Sequence, residues 1–161
     1  MEKNQVPLSE LWPLMQEQID SGKKVVFAPK GTSMLPLIRQ GKDKVVLVKA
    51  PEKLKKYDLP LYRRENGQFV LHRVVKVRED GYVMCGDNQF EREYGITDAQ
   101  ILALSCGMYK DGEYISFDDK KYRRYCKKQV RKSWFYSIYV SFMRFGSKIK
   151  QKILKKALNK K

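Results

Sequence analysis

The chain has 161 residues and a formal net charge of +16, from 34 Lys/Arg against 18 Asp/Glu. That length suffices for one well-buried domain, and no window of about 18–20 apolar residues exists to form a spanning helix. The charge is unevenly placed: residues 1–119 hold 18 basic and 18 acidic residues, whereas residues 120–161 hold 16 basic residues and no acidic one. The sequence therefore reads as a charge-balanced domain (1–119) followed by a basic tail (120–161), and a polyanion would meet the tail. Cys85, Cys106 and Cys126 are odd in number, widely spaced and without CxxC pairing, which excludes a disulfide framework and a zinc ligand set. Cys85 and Cys106 sit in apolar runs and read as small core residues. With one histidine in the chain, neither a metal site nor a cofactor is expected. The start Met1–Gln5 carries no apolar signal core, so the chain is expected to stay inside the cell.

In chain order, Leu8, Leu11, Trp12, Met15 and Ile19 recur at helical spacing and predict an amphipathic helix over 8–20. Ser9 is its expected N-cap, Ser21-Gly22 its stop, and Pro13 a tolerated first-turn residue. Strand patterns follow: Val25–Ala28, Lys44–Val48, Leu59–Tyr62, Phe69–Val77, Tyr82–Cys85, Leu102–Tyr109 and Glu113–Phe117. Asn66-Gly67, Asp80-Gly81 and Asp111-Gly112 are hairpin signals between them, predicting an antiparallel meander folded into a small barrel or folded sheet.

Beyond Asp119 the pattern changes again. Tyr122, Cys126, Val130, Trp134, Ile138 and Phe142 recur at four-residue steps, predicting a basic, aromatic-rich amphipathic helix for the tail. The uncharged block Ser133–Met143 is about 16 Å of helix, too short to span a bilayer but long enough to lie in its interface. Trp134, Phe135, Tyr139 and Phe142 suit the headgroup boundary, and Arg131 and Lys132 can reach anionic lipid. An anionic membrane surface is thus the expected partner, with docking on the domain or another protein second. Nucleic acid comes third, because the aromatics are not interleaved with the charges. The expected location is cytoplasmic and peripherally membrane-associated.

Two short stretches carry possible chemistry. Gly31-Thr32-Ser33-Met34-Leu35-Pro36 sets a hydroxyl in a tight turn, and Leu71-His72-Arg73 sets the only histidine in a strand-like run. A serine hydroxyl is a weak nucleophile until a base removes its proton, and backbone N–H groups must hold the developing oxyanion. His72, with an ordinary pKa near 6.5, is the natural base. Asp87, in Cys85-Gly86-Asp87-Asn88, is the expected carboxylate on the other ring nitrogen, since the Asp80-Gly81 hairpin folds its strand back beside His72. The ordinary alternative is a turn serine and a hydrogen-bonded strand histidine.

These motifs resemble signal peptidase I and its relatives. Gly31–Pro36 followed by Gly41-Lys42-Asp43 resembles the nucleophile box, Leu71–Val75 the second box in its histidine form, and Gly86-Asp87-Asn88 the third. The histidine form belongs to the endoplasmic-reticulum and spore-former branch; self-cleaving repressor peptidases are more distant relatives. The resemblance implies a mainly β fold of coiled antiparallel sheet with a short N-terminal helix. It also implies serine endopeptidase activity, with Ser33 as nucleophile, His72 as general base and Asp87 as orienting carboxylate. Gly31, Thr32, Met34 and Pro36 would form the oxyanion and substrate turn, and the substrate would be a peptide or precursor protein. Gly31 stands where many bacterial relatives carry an oxyanion-assisting hydroxyl, so backbone donors are expected here, assisted by Thr32. The competing expectation is a non-catalytic binding module that keeps the peptidase fold.

Overall fold

The structure, a computed structural model, describes residues 6–136 and 138. It is mainly β: two antiparallel sheets lie between an N-terminal helix, α1 (Leu8–Asp20), and a second helix, α2 (from residue 120 through 136). The strands are β1 (Val25–Phe27), β2 (Lys44–Val48), β3 (Pro60–Arg63), β4 (Phe69–Leu71), β5 (Arg73–Arg78), β6 (Gly81–Cys85), β7 (Glu93–Ile96), β8 (Ile101–Lys110) and β9 (Glu113–Ser116). The first sheet runs β1-β2-β8-β3-β4, with β9 also paired to β8; the second runs β5-β6-β7.

The helix over 8–20 forms as the apolar spacing requires, burying Trp12, Met15 and Ile19. Its start differs from expectation: Pro7 occupies the N-cap and Ser9 lies inside the first turn. Pro13 is the sixth helical residue rather than a first-turn one, and Leu11 is exposed. At the other end Gly22 adopts φ +81° while Gly22 and Lys23 donate to the Ile19 and Gln18 carbonyls, closing the helix.

The hairpins β3–β4, β5–β6 and β8–β9 form at the three Gly-containing turns, but the simple meander does not. β8 inserts between β2 and β3, so the longest strand is the centre of the first sheet. The run expected as one strand over 69–77 is broken at His72. β4 belongs to the first sheet and β5 to the second, so the chain changes sheets at that residue. β7, outside the expected strands, is only four residues long and its burial does not alternate: Tyr94 is exposed and Ile96 buried.

Alternation sorts the side chains into layers. Leu47, Leu59, Leu61, Leu71, Ala103 and Met108 pack under α1 with Trp12, Met15, Met34 and Ile38. Tyr62 and Val70, on the opposite face, meet Val74, Tyr82, Met84 and Ile96 of the second sheet. The outer face of that sheet, Val75, Val83 and Cys85, packs against Val130 of α2. Leu47→Ala should lower stability by about 2–5 kcal/mol in urea denaturation, because the side chain is wholly buried. Leu14→Ala on the exposed side of α1 should change it by less than about 0.5 kcal/mol.

Candidate active site

The Gly31–Pro36 turn is held from both sides. Gly31 adopts φ +98°, a conformation open to glycine at little cost, and its N–H donates to Gln40 Oε1 at 2.6 Å. Leu35 N–H donates to the Thr32 carbonyl, Ile38 N–H to the Met34 carbonyl, and the buried Met34 and Ile38 side chains anchor the turn in the core. Beyond it, buried Asp43 accepts from the Arg39 amide (2.8 Å) and guanidinium (Nε, 3.0 Å). The Arg39 hydrogen bond holds the Asp43 carboxyl below the usual carboxylate range. From the other side, Asn88 donates its backbone N–H to the Ser33 carbonyl (2.8 Å) and its side-chain amide to the Thr32 carbonyl (3.2 Å). A Cβ on Gly86 would lie 2.7 Å from the Ser33 carbonyl oxygen, so only glycine permits this approach. The Thr32 and Ser33 amides carry no hydrogen bond among the described residues, which leaves two adjacent N–H donors at the serine.

His72 is buried where the chain passes from β4 to β5. Its Nδ1 lies 2.9 Å from Glu93 Oε1 and 3.3 Å from the Tyr62 hydroxyl. The carboxylate partner assigns the proton to Nδ1 and leaves Nε2 as the basic nitrogen. Arg64 fixes Glu93 in turn, its Nε donating to Oε2 at 2.7 Å and its NH2 group to Oε1. Burial works against ionisation of Glu93, but the Arg64 hydrogen bonds and the neighbouring positive charge outweigh it and hold the carboxyl below its usual range. Burial also drives the His72 pKa below its ordinary value; the Glu93 charge and hydrogen bond oppose this only in part. Near neutral pH the imidazole is therefore neutral, as a general base must be. Burial, then Glu93, pushes the Tyr62 phenol far up, so it stays protonated.

The carboxylate beside His72 is Glu93 and not Asp87. Asp87 accepts from Arg73 Nε (2.8 Å) and NH2 (2.7 Å), and from the Tyr125 hydroxyl of α2 (3.0 Å). The register explains the exchange. Arg73 pairs with Cys85, whose side chain faces α2, so a carboxylate just past Cys85 meets the arginine. Glu93 pairs with Met84, which faces the first sheet, the side on which Tyr62 lies. The Asp80-Gly81 hairpin does fold as expected, but one residue of alternation decides which side chain Asp87 reaches. Because β7 is only four residues long and is interrupted at Gly95, spacing alone does not reveal Glu93.

Gly31, Thr32, Ser33, Met34 and His72 line one open cleft of about 300 Å³, floored by residues 68–71; Pro36 and Asp87 do not line it. Neither the Ser33 hydroxyl nor His72 Nε2 carries a hydrogen bond among the described residues, and none joins the two. Of the residues expected at a membrane, Arg131, Lys132, Trp134 and Phe135 are exposed on α2, whereas Tyr139 and Phe142 lie outside the described residues. Among the described residues no helix is long and apolar enough to cross a membrane.

Glu93→Gln removes the charge that partly restores the His72 pKa, so the single histidine resonance should titrate at lower pH than in the wild type. Asp87→Asn should leave that titration nearly in place but cost about 3–5 kcal/mol of stability, because it strands a buried guanidinium. Proton NMR and urea denaturation of the two variants check both effects.

No family model, curated protein or solved structure matches the chain.

Proposed function

We propose that the chain is a serine endopeptidase similar to the histidine-type signal peptidases, cutting a peptide or precursor protein at a membrane surface. The observation that carries this reading is the shared cleft. It is lined both by a turn serine with two unbonded backbone N–H groups and by a buried histidine whose Nδ1 is engaged by a carboxylate. Ser33 attacks the scissile carbonyl as His72 Nε2 takes its proton, and Glu93 stabilises the imidazolium that forms. The Thr32 and Ser33 amides bind the oxyanion, and His72 returns the proton to the leaving amine. Water, deprotonated by the same imidazole, then releases the acyl group from Ser33.

The cleft also suggests how the substrate lies. Among the described residues β4 pairs only with β3, which leaves its other edge to take an extended peptide as an added strand. By analogy with the resembled family, small residues would precede the cut. The missing Ser33–His72 hydrogen bond is compatible with catalysis, since such bonds tighten when substrate enters. It is also the observation that favours the competing binding-module reading.

Against a precursor-peptide library, Ser33→Ala and His72→Ala should each lower cleavage at least about a thousandfold. Wild-type cleavage should rise with pH to a plateau, with its midpoint below about 6.5 because burial lowers the His72 pKa. Equal cleavage by all three proteins would overturn the peptidase reading in favour of a binding role.

A further inference from the structure

A second cleft, of about 900 Å³, lies between α2 and the second sheet, on the α2-facing side of β5. Lys56, Lys76 and Arg92 line it from the β domain, and Arg124, Lys127, Lys128 and Arg131 from α2, with Tyr57 and Trp134 among them; among the described residues no acidic one does. We propose that this cleft binds the phosphates of anionic lipid headgroups and seats this face of the protein on a membrane surface.

The charge pattern carries the inference. Seven cations line this one cleft with no described acidic residue among its lining, whereas Arg39, Lys53, Arg64, Arg73, Arg78 and Arg123 each meet a carboxylate. None of the seven cleft cations has an ion-pair partner among the described residues, and residues 120–161 contain no Asp or Glu to supply one. Arg92 Nε is buried with no hydrogen-bond partner. Seven like charges gathered around one cleft repel one another. An anion relieves that repulsion and satisfies the open donors.

The choice of a lipid surface over another polyanion rests on what adjoins the cations. Trp134 lines the cleft and is 51% exposed, and Phe135 and Ile138 beside it are 61% and 49% exposed. A bilayer interface offers phosphates for the cations and an apolar boundary for these three side chains together. Duplex nucleic acid would satisfy the cations and leave Phe135 and Ile138 in water. The site shares no lining residue with the Ser33 cleft, so its test does not depend on the peptidase reading.

Vesicle sedimentation of the full chain at physiological ionic strength tests it, with phosphatidylcholine alone and in equal mixture with phosphatidylglycerol. The chain should bind the mixed vesicles and not the neutral ones. Each Lys or Arg near such a surface is worth about fivefold, so Lys56→Gln/Lys76→Gln and Arg124→Gln/Lys128→Gln should each weaken binding about 25-fold. The control Lys23→Gln/Lys44→Gln, which removes equal charge outside the cleft, should bind within about twofold of wild type. Ser33→Ala should bind as the wild type does, whatever its effect on cleavage. Equal binding to neutral vesicles, cleft variants indistinguishable from the control, or displacement from the mixed vesicles by single-stranded RNA at matched phosphate concentration would each overturn the proposal.

Discussion

The buried ion pair between Arg73 and Asp87 joins three parts of this molecule that would otherwise be separate. Arg73 is wholly buried, and such a charge is tolerated only when its donors are satisfied. Here Nε and NH2 reach the two Asp87 oxygens, while NH1 reaches the Tyr57 carbonyl, the Tyr122 hydroxyl and Cys126 Sγ. The guanidinium also faces the rings of Tyr122 and Tyr125. Burial opposes its charge, but Asp87 outweighs burial and keeps it protonated. Asp87 is flanked by Gly86 and Asn88, the two residues that touch the Ser33 turn. One ion pair therefore fixes β5 and α2 together and sets the loop that clamps Ser33.

Much of this was legible in the residues. Apolar spacing located α1, the Asn-Gly and Asp-Gly dipeptides located three hairpins, and the Ser33 and His72 stretches do share a cleft. What spacing missed has a physical cause in each case. The break at His72 is invisible because Phe69–Val77 is apolar enough to be one strand; only three-dimensional packing divides it between two sheets. The insertion of β8 is a long-range pairing that no local pattern encodes. The Asp80-Gly81 hairpin brings Asp87 near His72 in sequence pattern, but a one-residue alternation turns it toward Arg73. Glu93 escapes because its strand is only four residues long and Gly95, at φ +74°, interrupts its alternation, so that Tyr94 is exposed while Ile96 is buried.

The second helix shows how one stretch of sequence serves two surfaces. Tyr122, Cys126, Val130 and Ser133 recur at helical spacing and are buried against the second sheet. The residues between them are mainly Lys and Arg and remain exposed. Its inner face thus completes the Arg73–Asp87 site, and its outer face carries charge that the rest of the protein does not balance. One element thus carries both the contacts to the Arg73–Asp87 pair and the cationic face.

The central claim is that Ser33 is a nucleophile activated by His72. Its most direct test is mass spectrometry of the full chain after reaction with a fluorophosphonate, which labels only activated serines. The account predicts a single adduct on Ser33, formed faster as pH rises through the His72 titration and absent from His72→Ala. An unlabelled Ser33, or labelling that persists without His72, would contradict it.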